Sequence, residues 1–330
     1  MVTIKQVAAH AGVSFKTVSR VVNKDPTVKK ANQEKIEQSI KILGYRPNRA
    51  ASLTRKKQSG IFGLIADELL STPYTFDIIR GAQDLAWKHN KELMVLNVNE
   101  KRYASEKAVE HLFEHRVEGI IYASMFHRKI DPPSELINIP TILVNCSSVN
   151  NDLPSVIPDE INAAEVLTNQ VISKGYKRIA FLNLKKNILA AQGRKQGVIN
   201  AFKNNKISMD NLYIESVVIE TIDGEKSITR EATKRIINTF KPDAIICGHD
   251  PMAAEVYFTL QAMGLKVKED IGIASFDNWE PIPSLLCPML STMALPHYEM
   301  GKWAMNYLLT GEQSLTCQKE KFKLIERESF

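Results

Sequence analysis

The 330-residue chain is too long for one ordinary core and points to two or three domains, and its 44% hydrophobic and 24% charged fractions are those of a soluble globular protein. No apolar run approaches the roughly 18 residues of a membrane helix, and the opening Met1-Val2-Thr3-Ile4-Lys5 has no hydrophobic signal region, so a cytoplasmic protein with no membrane partner is expected. Residues 1–60 hold 13 Lys/Arg against 3 Asp/Glu and the remainder 30 against 34, so the net charge of +6 conceals a basic head on a mildly acidic body.

Thr3 is a good N-cap, and Ile4, Val7, Ala8 and Ala11 recur at helical spacing, which predicts a short helix over 4–11 stopped by Gly12. Ser14 then caps a second helix through about Asn23, with Val18, Val21 and Val22 inward and Phe15, Lys16, Thr17 and Arg20 outside. A third helix, roughly Lys30 to Leu43, carries Ile36, Ile40 and Leu43 on one face and ends at Gly44. Two short helices joined by Gly12-Val13 make a helix-turn-helix. In that geometry the second helix enters the major groove, which places Phe15, Lys16 and Arg20 at base edges and suits Thr3, Ser14, Thr17, Ser19 and Asn23 to phosphates. The basic charge draws such a head to a polyanion by counterion release, although a three-helix unit is equally compatible with protein binding.

The runs Thr3-Ile4-Lys5-Gln6-Val7-Ala8, Ala11-Gly12-Val13-Ser14, Thr17-Val18-Ser19-Arg20-Val21-Val22-Asn23 and Gly44-Tyr45-Arg46-Pro47-Asn48 closely resemble the headpiece of the LacI/GalR family of repressors. The resemblance implies a hinge helix starting near Asn48 that forms on operator DNA and drives a leucine wedge into the minor groove. An ungapped match puts Thr54 at the wedge position and Leu53 one residue early, a turn of roughly 100° around a helix. Leu53 is the candidate wedge, and Arg49, Arg55, Lys56 and Lys57 read as phosphate or linker charge.

From residue 61 short β-branched runs alternate with longer amphipathic stretches, the pattern of parallel βαβ units. The runs are Ile61–Ala66, Leu93–Val98, Gly119–Ala123, Thr141–Val144, Ile179–Leu182, Ala244–Cys247 and Ile271–Phe276. Asp67, Asn99, Asn145, Asn183, Asp250 and Asp277 follow such runs, at the sheet edge where doubly wound folds bind ligands. Gly175-Tyr176-Lys177-Arg178-Ile179-Ala180-Phe181, Pro242-Asp243-Ala244-Ile245 and Pro296 with Glu299-Met300-Gly301 extend the family resemblance, which implies a two-lobed periplasmic-binding-protein-like body of two doubly wound sheets. Carried over by position, the effector contacts are Asp67, Tyr74, Asn145, Arg194, Asp250 and Asp277. Asp250 and Asp277 suit vicinal hydroxyls, Arg194 adds a forked donor, and Tyr74, Phe76 or Trp279 is a candidate to stack on a sugar face. Asp and Asn at strand ends are also common turn formers. Ser71-Thr72-Pro73-Tyr74-Thr75-Phe76, His249, itself a candidate effector contact, and Cys146 depart from the family pattern, which leaves the ligand's identity open.

The resulting division is a headpiece at 1–46, a hinge and linker at 47–60, and an effector and dimerisation domain at 61–330, with one lobe about 61–157 and 292–317 and the other about 158–291 and 318–330. Four scattered cysteines, Cys146, Cys247, Cys287 and Cys317, read as reduced packing residues. His111-Leu112-Phe113-Glu114-His115 spells an inverted zinc-peptidase motif, but no third ligand is evident and an exposed helix face is the simpler reading. With no G-x-S-x-G elbow and no phosphate loop, no catalytic residue, metal or cofactor is expected. Two functions remain: a homodimeric repressor on near-palindromic operator DNA, controlled by a small sugar-like effector, or a solute-binding receptor, which should carry an export signal.

Overall fold

The structure is a computed structural model that describes residues 2–23, 25–45, 59–67, 74–98, 102–221, 224–311 and 317–330, the side chains of residues 74, 75, 102 and 221 excepted. The chain divides into two compact units, 1–59 and 60–330.

The first unit comprises α1 (Ile4–Ala11), α2 (Phe15–Val22) and α3 (Lys30–Leu43). Thr3 and Gln6 cap α1 reciprocally, Ser14 accepts from the Thr17 amide at the start of α2, and Gly12 and Gly44 end α1 and α3 in the left-handed conformation that glycine adopts without strain. Val7, Ala8, Val18 and Ile36 form the buried centre, flanked by Ile4, Ala11, Val21, Val22, Ile40 and Leu43. A His10 to Ser39 hydrogen bond of 3.0 Å ties α1 to α3.

The second unit begins with β1 (Ile61–Ala66), α4 (Tyr74–Lys88), β2 (Glu92–Asn97), α5 (Arg102–Glu114), β3 (Ile120–Ile130), β4 (Thr141–Ser148) and β5 (Ser155–Pro158). The chain then builds α6 (Glu160–Ser173), β6 (Ile179–Asn183), α7 (Leu189–Asn204), β7 (Leu212–Ser216), β8 (Val218–Thr221), β9 (Gly224–Ser227), α8 (Thr229–Thr239), β10 (Ala244–Cys247), α9 (Asp250–Ala262), β11 (Gly272–Asp277), α10 (Ile282–Leu285) and β12 (Ser291–Ala294). It closes with α11 (His297–Thr310), β13 (Cys317–Glu320) and β14 (Lys323–Ile325). Two six-stranded sheets result, in the orders β13-β5-β4-β3-β1-β2 and β14-β12-β11-β10-β6-β7, parallel except for β14. Each is covered on both faces, the first by α4 and α11 against α5 and the second by α6 and α7 against α8 and α9, so runs such as Ile61–Ala66 and Ile179–Leu182 are apolar throughout. Gly81 and Gly301 let α4 and α11 touch backbone to backbone, since a Cβ at either would lie 2.0 Å from a carbonyl oxygen of the facing helix.

All seven expected strands are present, with differences at their ends. β3 does not stop at Ala123: its pairing with β4 slips between Ala123 and Arg128 and resumes as Arg128 to Ile130 against Cys146 to Ser148. Asn145 therefore lies inside β4 instead of following it. β12 pairs in the second sheet and β13 in the first, so the chain crosses between lobes after Ala294 and again after Glu320, a few residues beyond the expected 292 and 317. β5, β7 and β12 to β14, together with the β8–β9 hairpin, were not expected, for their apolar runs are three residues or shorter; the second hairpin strand, Gly-Glu-Lys-Ser, is exposed throughout. Cys146 and Cys247 are buried packing residues as expected, whereas Cys287 and Cys317 are exposed. Cys317 lies on the edge strand β13, and Cys287 on the turn after α10, where Leu286 and Leu290 take the inward places.

Candidate functional site

Two surfaces concentrate polar chemistry, one on each unit. On the first, α2 exposes Phe15, Lys16 and Arg20, the last two four residues apart and hence on one helical face. Arg20 is not wholly free: Nε donates to Asp25 Oδ2 at 2.8 Å and another guanidinium nitrogen donates to Thr27. Asp25 also accepts from the Thr27 amide at 2.9 Å, and these bonds hold its carboxyl far below the ordinary carboxylate range. The guanidinium, with five donors, is thus pre-aimed while keeping others for a ligand. Thr17 shares its hydroxyl with Ser14 at 2.8 Å, and Asn23 donates its side-chain amide to Ser19 O at 2.7 Å.

On the second unit a cleft of about 830 Å³ opens between the two sheets, within the size range of small-molecule sites. Its floor is Arg194 on α7, 2% exposed, whose Nε donates to Glu160 Oε2 at 2.7 Å. The same guanidinium donates to the Gly248 carbonyl, lies 3.5 Å from Asp277 Oδ1 and stacks 4.5 Å over Phe276. Burial pushes the Glu160 carboxyl up, against the opposing pull of Arg194. Asp277 ends β11 at φ 105°, a backbone conformation costly for a residue with a Cβ and typical of ligand sites. His249 caps α9, its Nδ1 accepting from the Met252 amide at 3.0 Å, so the neutral ring carries its proton on Nε2. Burial keeps it neutral by lowering its pKa.

The opposite wall is the β3–β4 irregularity. Ser124 to His127 bulge out, and two buried groups brace them: Asp67 accepts from Ser124 Oγ at 2.6 Å, the Met125 amide at 2.8 Å and Arg128 at 2.5 Å. Asn145, at φ 58°, donates to the carbonyls of Ser124 and Met125 at 3.1 and 2.9 Å. The bulge delivers Phe126, His127 and Arg128 to the cleft. The β8–β9 hairpin forms a rim that adds Glu225, Lys226 and Ser227; Lys185 pairs with Glu220 and Glu225, one on each hairpin strand, and Ser227 donates to Glu255 at 2.8 Å.

Residues 3–48 match the family model for bacterial regulatory proteins of the lacI family, and residues 59–313 match that for periplasmic binding proteins and the sugar-binding domain of the LacI family. The chain belongs to the LacI family of bacterial regulatory proteins. The transcriptional regulator RegA of Clostridium saccharobutylicum is 32% identical, with 99% of this chain and 98% of the relative covered. The sucrose operon repressor of Escherichia coli is 29% identical over 95% of each chain. The lac repressor dimer bound to operator and the anti-inducer ONPF shares the fold at a TM-score of 0.75 and 24% identity, covering 99% of this chain and 98% of that one. The family is one of transcriptional regulators and not of enzymes. No described helix is long and apolar enough to cross a membrane.

Against this LacI-family frame, four expected effector residues line the cleft: Asn145, Arg194, His249 and Asp277. The others lie elsewhere or outside the described atoms. Asp67 is buried behind the bulge. Asp250 is fully buried, its two carboxylate oxygens accepting from the Trp279 amide at 2.6 Å and Thr292 Oγ1 at 2.8 Å, and burial beside Asp277 raises its pKa. It pins the segment that follows β11 and does not line the cleft. Phe76 points to solvent, 58% exposed, and neither it nor Trp279 lines the cleft; Phe126 supplies the aromatic face instead. The side chain of Tyr74 and residues Asn48, Leu53, Thr54 and Asn99 lie outside the described residues. Sequence reasoning missed Phe126, His127, Arg128, Glu160, Lys185 and the hairpin. The strand-end rule applied to Gly119–Ala123 would have found the first three, had it not been confined to Asp and Asn. His111 and Glu114 form a 3.4 Å pair on an exposed face of α5, and no cluster among the described residues is arranged to hold a metal ion.

Proposed function

We propose that the protein is a repressor that holds near-palindromic operator DNA as a homodimer and changes its grip when a sugar-like molecule occupies the cleft. The observation that carries this reading is the joining, in one LacI-family chain, of a helix with a solvent-facing Lys16 and Arg20 to a separate two-lobed cleft floored by Arg194 and Asp277. Phe15, Lys16 and Arg20 read base edges in the major groove, and Thr3, Ser14, Thr17, Ser19 and Asn23 serve backbone contacts or order the helix that makes them. Residues 1–46 are the headpiece, 47–60 with Asn48 and Leu53 the hinge, and 61–330 the effector and dimerisation domain. The protein works in the cytoplasm on the nucleoid.

In the cleft, the Asp277 carboxylate accepts from hydroxyls, Arg194, Asn145 and His249 complete the polar set, and Phe126 stacks on the apolar face of a ring. Relatives named for sucrose and ribose operons point to mono- and disaccharides as the first compounds to try. The ligand acts by binding open and closed arrangements of the lobes with different affinity, a coupling typically worth about 1 to 3 kcal/mol. Fluorescence anisotropy with a labelled inverted-repeat duplex tests the reading. Binding should weaken steeply with added salt and shift on addition of one sugar; salt-insensitive binding to every duplex would refute it.

A further inference from the structure

Among the described residues one buried side-chain atom has no hydrogen-bond partner within the protein, His127 Nδ1. Such an atom costs folding free energy and calls for a use, since an apolar ring of similar shape would avoid that cost. Its surroundings supply the use. His127 is the last residue of the bulge that Asp67 and Asn145 hold from behind, so its backbone is fixed by bonds made through Ser124 and Met125. Its ring, with Glu160 and Leu189, forms the wall shared by the main cleft and a smaller side cavity of about 280 Å³ lined further by Asp159, Gln192 and Lys319.

We propose that His127 is a specificity-determining residue of the effector cleft, its Nδ1 exchanging a hydrogen bond with a hydroxyl of a bound polyol that reaches toward the side cavity. The inference rests on the reading of the cleft as the effector site and deepens it: the effector is a polyhydroxylated molecule, and a deoxy analogue at that hydroxyl is rejected. Burial together with the nearby Arg194 and Lys319 pushes the imidazole pKa down to about 4, so the ring meets its ligand uncharged, with one nitrogen to donate and one to accept. A hydroxyl satisfies either tautomer.

His127→Phe and His127→Asn in the full-length protein test this. Without sugar, the Phe variant should unfold at the wild-type temperature or above it, because an unsatisfied nitrogen has been replaced by carbon. In calorimetric titrations with ribose, glucose, sucrose and cellobiose, the sugar that binds wild type should bind the Phe variant at least about tenfold more weakly. The Asn variant, which keeps a polar atom near the Nδ1 position, should stay within a few-fold of wild type. Unfolding of the Phe variant several degrees below wild type, or unchanged sugar affinity in it, would overturn the role assigned to His127. Silence of wild type toward all four sugars would overturn the cleft reading and this inference with it, a failure distinguishable because the sugar-free unfolding comparison is read separately.

Discussion

The headpiece and the body solve recognition in opposite ways. The headpiece presents its candidate readers on one turn and a half of a single helix, exposed, with a core of four buried apolar residues among those described behind them. The body gathers its readers from β3, β4, α6, α7, α9, β11 and a hairpin, and buries the charge at their centre. A surface reader depends on its own side chain and its local cap. A buried one depends on every partner that neutralises or aims it, so the two units should fail differently under mutation and under acid.

The largest difference should come from Arg194→Ala. It strands Glu160 and Asp277 without their shared cation, and breaking a buried pair typically costs about 3 to 5 kcal/mol. Scanning calorimetry should show the body's transition fall while the headpiece's stays in place; a loss shared by both transitions would break the contrast. Ile36→Ala is the converse, removing roughly 3 kcal/mol from the headpiece. Here DNA binding should vanish with the body's transition and any sugar response unchanged.

Acid should sharpen the contrast. His127 and His249 have native pKa values below their ordinary 6.5, that of His127 at about 4, so the folded body binds fewer protons than the unfolded chain between those values. The stability they contribute is present above pH 6.5 and lost as pH falls toward 4, on the order of 3 kcal/mol from His127. Equilibrium denaturation across that range should weaken the body more steeply in wild type than in His127→Phe. The smallest effect is expected from Arg20→Ala, about 1 to 3 kcal/mol in operator affinity with relaxed preference at one base pair and no change in the body. Equal loss on operator and random DNA would instead make Arg20 a phosphate contact.

How much could be read from sequence follows the same division. In the headpiece, Thr3, Ser14, Gly12 and Gly44 mark helix ends by chemistry local to each turn, and the three helices lie where those residues put them. The Arg20–Asp25–Thr27 contact was hidden, because it depends on how the chain turns after α2. In the body, two-sided burial makes the central strands legible as apolar runs. Which strand-end carboxylate faces a ligand is set by long-range partners: Asp250 is consumed by Trp279 and Thr292, and Asp67 by a bulge more than fifty residues away. The hairpin was invisible for the plain reason that its exposed strand, Gly-Glu-Lys-Ser, reads as a loop.

Reciprocal linkage tests the central claim that cleft and headpiece are coupled most directly. The dissociation constant of the responsive sugar should be measured by calorimetry with and without saturating operator duplex, and that of the duplex with and without saturating sugar. The account predicts the same factor from both sides, about 5- to 150-fold, as thermodynamic linkage requires. A sugar that binds the cleft with an affinity indifferent to operator would contradict it.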